Sequence, residues 1–163
     1  MCDYLPVASY LPHDAPMVLL DNVLHVDEER AHCQVTISND GVLAPFLNEQ
    51  GALPAWFGIE IIAQTIGVWS GWHRRKQAER KDKPELGMLL GGRGYRCQHA
   101  QFPSQARLDV FINLLIRDEK IGSFDGEILI NGKRVASGRL NTYQPDSIEL
   151  QQLTQQGKQN EQA

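Results

Sequence analysis

The sequence predicts an α+β fold in which a curved antiparallel sheet wraps round one long central helix. Two strand-like segments precede a single helical segment, and about four strand-like segments follow it. The helical segment begins near Pro54, a residue suited to a first helical turn, and places Trp56, Ile59, Ala63 and Ile66 at helical spacing. One helix among adjacent strands is typical of a sheet that covers the helix with its apolar face.

Two strands are predicted before the helix, over residues 17–26 and 31–37. The first is apolar and contains β-branched valines, and in the second Cys33, Val35 and Ile37 fall on one face. Each strand therefore has an apolar side, which we expect to pack against the helix.

Four antiparallel strands are predicted after the helix. Gly91, Gly92 and Gly94 permit a bend or bulge in the first of them. The last two are joined by Asn131-Gly132, a preferred pair for the type I′ turn of a two-residue hairpin. The predicted strands cover residues 86–102, 108–117, 124–130 and 133–143.

Length and composition favour one domain followed by a tail. The chain has 163 residues, enough for one sizeable core, which we assign to residues 1–145. Residues 146–163 are polar, and we predict that they are disordered. A net charge of −4 at pH 7 argues against nucleic acid and anionic membranes as partners. No apolar run approaches the roughly 20 residues that a membrane span needs.

The cysteines indicate a reducing compartment. Cys2, Cys33 and Cys97 are odd in number and widely spaced, which favours free thiols over disulfides. The first ten residues lack the basic and apolar regions of a signal peptide, so we expect a cytoplasmic protein. No metal-ligand spacing is present, and we expect no metal site.

One carboxylate, Glu60, falls within the most apolar part of the helical segment, among Ile59, Ile61 and Ile62. Burying an ionised carboxylate is costly, so its presence there suggests a functional role. The structural alternative is a side chain that points to solvent or pairs with an arginine. Gln64 lies four residues later on the same helix face, where it could hydrogen-bond the carboxyl group.

Two motifs carry a resemblance to a known family. Residues 11–24 read LPHDAPMVLLDNVL, and residues 54–67 read PAWFGIEIIAQTIG. Both resemble segments of the hotdog-fold 3-hydroxyacyl-[acyl-carrier-protein] dehydratases, namely the opening segment and the central helix. The start of the helix is most similar to the ApeP-like branch of aryl polyene biosynthesis. The resemblance extends over nearly the whole chain to about residue 145 and implies the hotdog fold.

The resemblance implies elimination of water from a β-hydroxyacyl thioester to give a trans-2-enoyl thioester on the phosphopantetheine arm of an acyl carrier protein. Glu60 matches the family's catalytic carboxylate, and apolar surroundings would raise its pKa so that it can act as an acid. Backbone N–H groups around Ala55 and Trp56 are suited to hold the thioester oxygen. Pro54 and Gln64 complete the expected substrate-binding set. No cofactor is needed, because the thioester itself acidifies the proton that is removed.

The sequence departs from the family at its catalytic histidine. Phe46 occupies that position, and no histidine lies between His32 and His73. Three explanations stay open: another residue substitutes, a partner subunit supplies the base, or the chain is no longer a catalyst. His13, in the opening motif that the family places near the acyl tunnel, is the candidate base, with loop capping as its structural alternative.

The other histidines are weaker candidates. His25 and His32 are expected to be ordinary strand or surface residues. His73 begins a basic helix end, where a cation is favoured beside the helix dipole. His99 lies late in a strand that the family uses as a tunnel wall, and it is the next candidate for a direct role.

Two other functions stay open beside the dehydratase. One is a non-catalytic or half-catalytic partner subunit of a heterodimeric hotdog dehydratase, since hotdog subunits form active sites between two chains; a homodimer is equally compatible. The other is an acyl thioesterase in which Glu60 activates water.

A basic run over residues 74–83, together with Arg93 and Arg96, could dock an acidic carrier protein. The structural alternative is that such a charge run only solvates the end of the helix.

Overall fold

The computed structural model describes residues 4–11, 17–78, 89–117 and 121–143. In this part of the chain, one helix, α1 (Phe57–Ala78), accompanies eight strands and two short 3-10 turns, Val7–Ser9 and Ala44–Phe46. The strands are β1 (Asn22–Val26), β2 (Arg30–Thr36), β3 (Leu53–Pro54), β4 (Leu89–Cys97), β5 (Gln101–Phe102), β6 (Arg107–Arg117), β7 (Ile121–Ile130) and β8 (Lys133–Tyr143).

Six of the described strands form one antiparallel sheet in the order β1-β2-β6-β7-β8-β4. The β7–β8 hairpin turns at Asn131 and Gly132, whose φ angles of 52° and 79° are the positive values that a type I′ turn requires. Strand β4, which follows the helix in sequence, lies at one edge of the sheet, and β1 lies at the other.

The helix packs against the inner face of this sheet, with contacts to β2, β6 and β7. Ile61, Ile62 and Ile66 of α1 are buried in that layer. Gly126 of β7 allows the close approach, because a Cβ atom at this position would overlap Ile62. The buried strand residues of the layer include Cys33, Val35, Leu108, Val110, Ile112, Phe124 and Ile128.

The predicted fold class is confirmed, but the start of the helix differs from the prediction. Leu53 and Pro54 form β3 and pair with Phe102 and Gln101 of β5. This pairing keeps the chain extended, so the helix begins at Phe57. The expectation that Pro54 occupies the first helical turn is therefore wrong.

Strand boundaries also differ. The first strand begins at Asn22 rather than at residue 17. The single strand predicted over residues 86–102 is two strands, because residues 98–100 bend between β4 and β5. The predicted tail and residues 79–83 of the basic run lie outside the described residues, so the domain boundary stays a prediction. Within the described ranges, no helix combines the length and apolarity needed to cross a bilayer.

Candidate active site

Glu60 lies in the first turn of α1, on a face that turns away from the sheet. Its neighbours Ile61 and Ile62 are buried, whereas the Glu60 side chain is exposed. It has no hydrogen-bond or ion-pair partner among the described residues. Successive helical residues are about 100° apart, so the stripe that packs on the sheet leaves position 60 outside it. The single chain therefore does not itself provide the apolar surroundings expected for this carboxyl group.

Gln64 contacts the N-terminal segment rather than Glu60. Its amide is buried; Oε1 accepts the Leu19 N–H at 2.8 Å, and Nε2 donates to the Met17 carbonyl oxygen at 2.6 Å. Both ends of the amide are thus bonded to residues of the opening motif itself. The expected hydrogen bond from Gln64 to the Glu60 carboxyl group is not formed in the described structure.

The start of the helix carries two unpaired backbone donors. The Ala55 N–H donates to the Ala100 carbonyl oxygen at 3.1 Å, so the expectation that this group is free is wrong. The next two N–H groups, of Trp56 and Phe57, have no partner among the described residues. They lie at the end of the helix where the dipole is positive. The donors expected at the helix start are therefore present one residue later than predicted.

Tyr95 of β4 contacts the same turn, although no sequence motif pointed to it. Its hydroxyl group donates to the Ala55 carbonyl oxygen at 2.6 Å. Burial, and next the neighbouring Cys97, raise the pKa of the Tyr95 hydroxyl group, which keeps it protonated as a donor. In the sequence, the glycine directly before it, Gly94, indicated a bend or bulge at this point of the strand. In the structure, Gly94 has a φ of 67°.

Aromatic rings surround the helix start. The Trp56 ring stacks on Phe57 with 3.9 Å between centroids, and Phe46 lies 5.2 Å from the Phe57 ring. Phe57 and Glu60 are three residues apart, which makes them neighbours on the helix surface. The structure thus brings Phe46 to the turn that carries Glu60, but its ring cannot accept a proton.

Three described histidines lie close to carboxylates; the Nδ1 of His73 is 4.0 Å from the Glu28 Oε2. His25 lies 2.8 Å from Asp27, and His32 lies 2.8 Å from Asp109. His13, the candidate base, lies outside the described residues. Across the described ranges, no group of His, Cys, Asp and Glu side chains is arranged to hold a metal ion.

His73 and His99 differ from their sequence-based descriptions. His73 is buried, with Nε2 3.0 Å from the Asp27 carbonyl oxygen, and burial lowers its pKa. The expectation of a surface cation is therefore wrong, because the ring faces the core. His99 is exposed and has no partner in the described structure. It directly precedes Ala100, whose carbonyl oxygen accepts the Ala55 N–H.

A charged groove of about 780 Å³ lies on the outer face of the sheet. Arg139 pairs with Asp125 at 3.1 Å. The other four arginines of the groove have no partner among the described residues. Opposite one another on neighbouring strands, Arg93 and Arg139 are like charges that repel. The charged residues that line the groove are Arg30, Arg93, Arg96, Asp125, Glu127, Arg134 and Arg139.

The model of a protein family described as ApeP-like, ApeP dehydratase, matches residues 5–155. This chain belongs to the ApeP-like dehydratase family. The matched range contains Glu60, the helix start and the position of His13.

Relatives and solved structures of the ApeP-like dehydratase agree with this assignment. The 3-hydroxyacyl-[acyl-carrier-protein] dehydratase FabZ of Streptococcus agalactiae is 38% identical over 144 residues, which are 86% of this chain and 96% of that protein. A chain of the dehydratase heterocomplex ApeI:P from Xenorhabdus doucetiae is 58% identical with a TM-score of 0.85, covering 93% of this chain and 98% of that chain. An uncharacterised Pyrococcus horikoshii protein, 12% identical with a TM-score of 0.61, covers 88% of this chain and 97% of its own; it shows the fold alone.

The family, the hotdog fold and the dehydratase class predicted from the sequence are confirmed. The ApeP-like dehydratase is accordingly a carbon–oxygen lyase of the 3-hydroxyacyl-[acyl-carrier-protein] type. The roles of the individual residues stay predictions.

Proposed function

We propose that this chain removes water from a 3-hydroxyacyl group carried by an acyl carrier protein, with Glu60 as the acid that protonates the leaving hydroxyl group. One observation carries the proposal: the Glu60 carboxyl group, in the first turn of α1, lies beside the N–H groups of Trp56 and Phe57, and none of the three has a partner among the described residues. One turn at the start of the helix therefore carries both the proposed acid and the N–H donors for the thioester oxygen, and this turn lies within the residues that match the family.

The proposed steps require three groups. A base removes a proton from the α-carbon, which lies between the thioester carbonyl group and the hydroxyl-bearing β-carbon. The electron pair moves to the thioester oxygen, where the N–H groups of Trp56 and Phe57 stabilise the enolate. The enolate then collapses to a trans-2-enoyl thioester while Glu60 transfers its proton to the departing hydroxyl group, which leaves as water. No redox step occurs, so the chemistry calls for no cofactor.

A second hotdog subunit completes the site. Glu60 is exposed in the single chain, whereas an acid that is protonated near neutral pH needs apolar surroundings. Strand β4 pairs only with β8 in the described sheet and offers its other edge for pairing. The start of α1 lies next to β4, where Tyr95 contacts Ala55 and Gly58. A subunit added at the free edge of β4, in a homodimer or a heterodimer, would therefore cover the start of α1.

The base comes from this chain or from the second subunit. Phe46 removes the family's usual base from this chain. His13 is the candidate within the chain, and the unpaired, exposed His99 beside Ala100 is the alternative. Histidine is the side chain most often used as a general base in enzymes.

The carrier protein docks on the arginine groove of the outer sheet face. Four arginine side chains there, which have no partner among the described residues, contrast with the net charge of −4 for the whole chain, and an acidic partner would relieve their mutual repulsion. Arg93 and Arg96 extend from β4, whose Tyr95 contacts the helix start on the opposite face. A carrier held in the groove therefore needs to pass its arm round only one edge strand.

Docking is tested with two substrates that carry the same acyl group. Arg93→Ser and Arg96→Ser together should raise KM about five- to thirtyfold for the carrier-bound substrate, since each charge contact contributes about 0.5–1 kcal/mol. KM for a small soluble thioester should not change. Lys133→Ser is the matched control, because Lys133 is exposed beside Arg134 but does not line the groove. An equal effect on both substrates would contradict docking at this groove.

The activity is tested on the purified chain with a 3-hydroxyacyl carrier protein, following enoyl absorbance and free thiol separately. Glu60→Gln should lower enoyl formation about 100-fold or more. Glu29→Gln, an exposed carboxylate in the β1–β2 turn, is the control and should retain wild-type turnover. Undiminished dehydration by Glu60→Gln would reject the assigned role, and thiol release without enoyl formation would instead support a thioesterase.

A second candidate is the half-catalytic subunit of a heterodimeric dehydratase. It is compatible with Phe46 at the position of the missing base and with the 58% identical solved chain, which belongs to a dehydratase heterocomplex. Mass measurement in solution and activity with and without a histidine-bearing hotdog subunit distinguish the candidates. A fully active homodimer would exclude the heterodimer.

The cysteines and the family support the proposed location and pathway. Among the described residues, Cys33 and Cys97 form no disulfide, which supports a cytoplasmic location. The family assignment supports aryl polyene synthesis as the pathway.

A further inference from the structure

A bulge in β4 aims one side chain at the helix start. Arg93 pairs with Arg139 and Arg96 pairs with Ser137, so two residues of β4 face one residue of β8. Gly94 adopts a φ of 67°, the left-handed conformation that glycine accepts in such bulges. The extra residue lets Arg93 and Arg96 both line the outer groove while Tyr95, the second of the two residues between them, faces the helix.

Two glycines make room for this tyrosine. A Cβ atom on Gly58 of α1 would overlap the Tyr95 hydroxyl group, and a Cβ atom on Gly138 of β8 would lie 3.3 Å from the Tyr95 Cα. The hydroxyl group can therefore reach the Ala55 carbonyl oxygen at 2.6 Å. The absence of side chains at Gly58 of α1 and Gly138 of β8 thus leaves room for the Tyr95 ring to contact Ala55.

The contact controls a peptide group of the site. The carbonyl oxygen of Ala55 and the N–H of Trp56 belong to one planar trans peptide, in which they point in opposite directions. A hydrogen bond that holds the oxygen therefore also sets the direction of the Trp56 N–H. Ala55 is held further by its own N–H, bonded to Ala100, and by the Gly58 N–H, which donates to the same carbonyl oxygen at 3.0 Å.

We propose that Tyr95 is a positioning residue of the dehydratase, which orients the Ala55–Trp56 peptide so that the Trp56 N–H faces the thioester oxygen. The inference rests on the function proposed above, in which this N–H stabilises the enolate. Tyr95 does not contact the substrate. It acts through the peptide, and its hydroxyl group also polarises that peptide and strengthens the N–H as a donor.

The test uses Tyr95→Phe in the full chain, assayed in the same assembly as the wild type. Loss of an oxyanion donor lowers turnover about 100- to 1,000-fold, so a misdirected donor should lower kcat about tenfold. KM should stay within about twofold, because the contact acts on the transition state more than on the bound substrate. A merely structural role would change the melting temperature without this separation of kcat from KM.

Tyr4→Phe is the matched control. The Tyr4 hydroxyl group accepts the Val26 N–H at 3.0 Å, a comparable side chain–backbone bond, at the end of β1. β1 and β4 are at opposite edges of the sheet. The control should lose some stability and keep its kcat. Equal loss of kcat in both variants would overturn the inference.

A second measurement does not depend on activity. In ¹⁵N-labelled protein, residual dipolar couplings report the direction of each N–H bond, and the amides of α1 provide the reference frame. Tyr95→Phe should change the Trp56 coupling and leave those of Trp69 and Trp72 unchanged. An unchanged Trp56 coupling, or a kcat within twofold of wild type, refutes the positioning role. If the wild type and Glu60→Gln are equally inactive while the coupling changes, the proposed function fails and the orientation by Tyr95 stands.

Discussion

Glu60 and His73 lie on the same helix, and their surroundings are opposite. His73 is 5% exposed, contacts Trp69 and Trp72 with ring centroids 4.1 and 4.9 Å away, and bonds the Asp27 carbonyl oxygen. Glu60 is exposed and has no partner among the described residues. The family resemblance implied apolar surroundings for Glu60, with a solvent-facing side chain as the structural alternative, and the sequence placed His73 as a cation at a basic helix end.

The difference separates two reasons for a titratable group on a helix. His73 is satisfied by its own chain, so it contributes to the fold. Glu60 has no partner among the described residues, at the helix end where the N–H groups of Trp56 and Phe57 also lack one there, and the function proposed above assigns its partners to the substrate and to a second subunit. Changes at the two residues should accordingly affect different properties.

The largest expected effect is the loss of activity in Glu60→Ala. Turnover of the carrier-bound substrate should fall about 100-fold or more, because the acid is removed. The free energy of unfolding should change by less than about 0.5 kcal/mol, since an exposed residue without partners is replaced. Enzyme assays and urea unfolding on the same preparation check both parts. A large destabilisation would show that Glu60 belongs to the fold and would remove the contrast with His73.

His13→Ala tests whether the chain carries its own base. If it does, turnover should fall roughly 100-fold or more while substrate binding is largely retained. The measurement is kcat and KM, with His99→Ala assayed in parallel. A His13 variant within about twofold of wild type, well short of that loss, would reduce His13 to a structural loop residue. A large effect of His99→Ala alone would assign the base to the β4–β5 bend, and no effect of either would favour a base from the partner.

His73→Ala should show the opposite behaviour to Glu60→Ala. Removal of a buried ring from between two tryptophans leaves a cavity and should destabilise the fold by about 2 kcal/mol. The kcat of the folded protein should stay near the wild-type value. Chemical unfolding and turnover at a temperature well below the melting transition are the measurements. A loss of kcat without a loss of stability would place His73 in the catalytic apparatus.

The smallest expected effect is a pH dependence of stability that His73 causes. Burial lowers the pKa of His73 from its ordinary value of 6.5. Between the lowered value and 6.5 the unfolded chain binds more protons than the folded one, so stability falls as the pH decreases through this window. Above pH 6.5 the titration of His73 does not change the stability of the protein.

This dependence is isolated by comparing the wild type with His73→Gln, whose neutral side chain does not titrate. The difference in unfolding free energy between the two proteins should shrink as the pH is lowered from 7.5 towards 5, since only the wild type loses stability through this group. Taking the difference cancels the contributions of carboxylates that do not contact His73, such as Asp109, whereas Glu28, 4.0 Å from the His73 Nδ1, opposes the effect of burial on the pKa of His73. A difference that is constant with pH would contradict the burial of a neutral His73.

Much of the fold follows from local patterns. Alternating residues predicted the strands, Asn131-Gly132 predicted the hairpin turn, and the glycines of residues 91–94 predicted a bulge, because each depends on residues adjacent in sequence. The start of the helix could not be placed in this way. It depends on the pairing of β3 with β5, and so on residues far along the chain.

By itself, the sequence determined the α+β class, the single long helix and Glu60 as the unusual carboxylate, since periodicity and residue chemistry are local properties. The tertiary structure alone decided which groups contact one another. Gln64 bonds Met17, 47 residues away, Tyr95 bonds Ala55 across 40 residues, and His73 bonds Asp27 across 46. Such contacts depend on how the sheet, the helix and the loops pack together. A single sequence holds no signal for that packing, so only the folded chain decided which of the predicted N–H groups at the helix start lack a partner among the described residues, and which of the two alternatives holds for the Glu60 side chain.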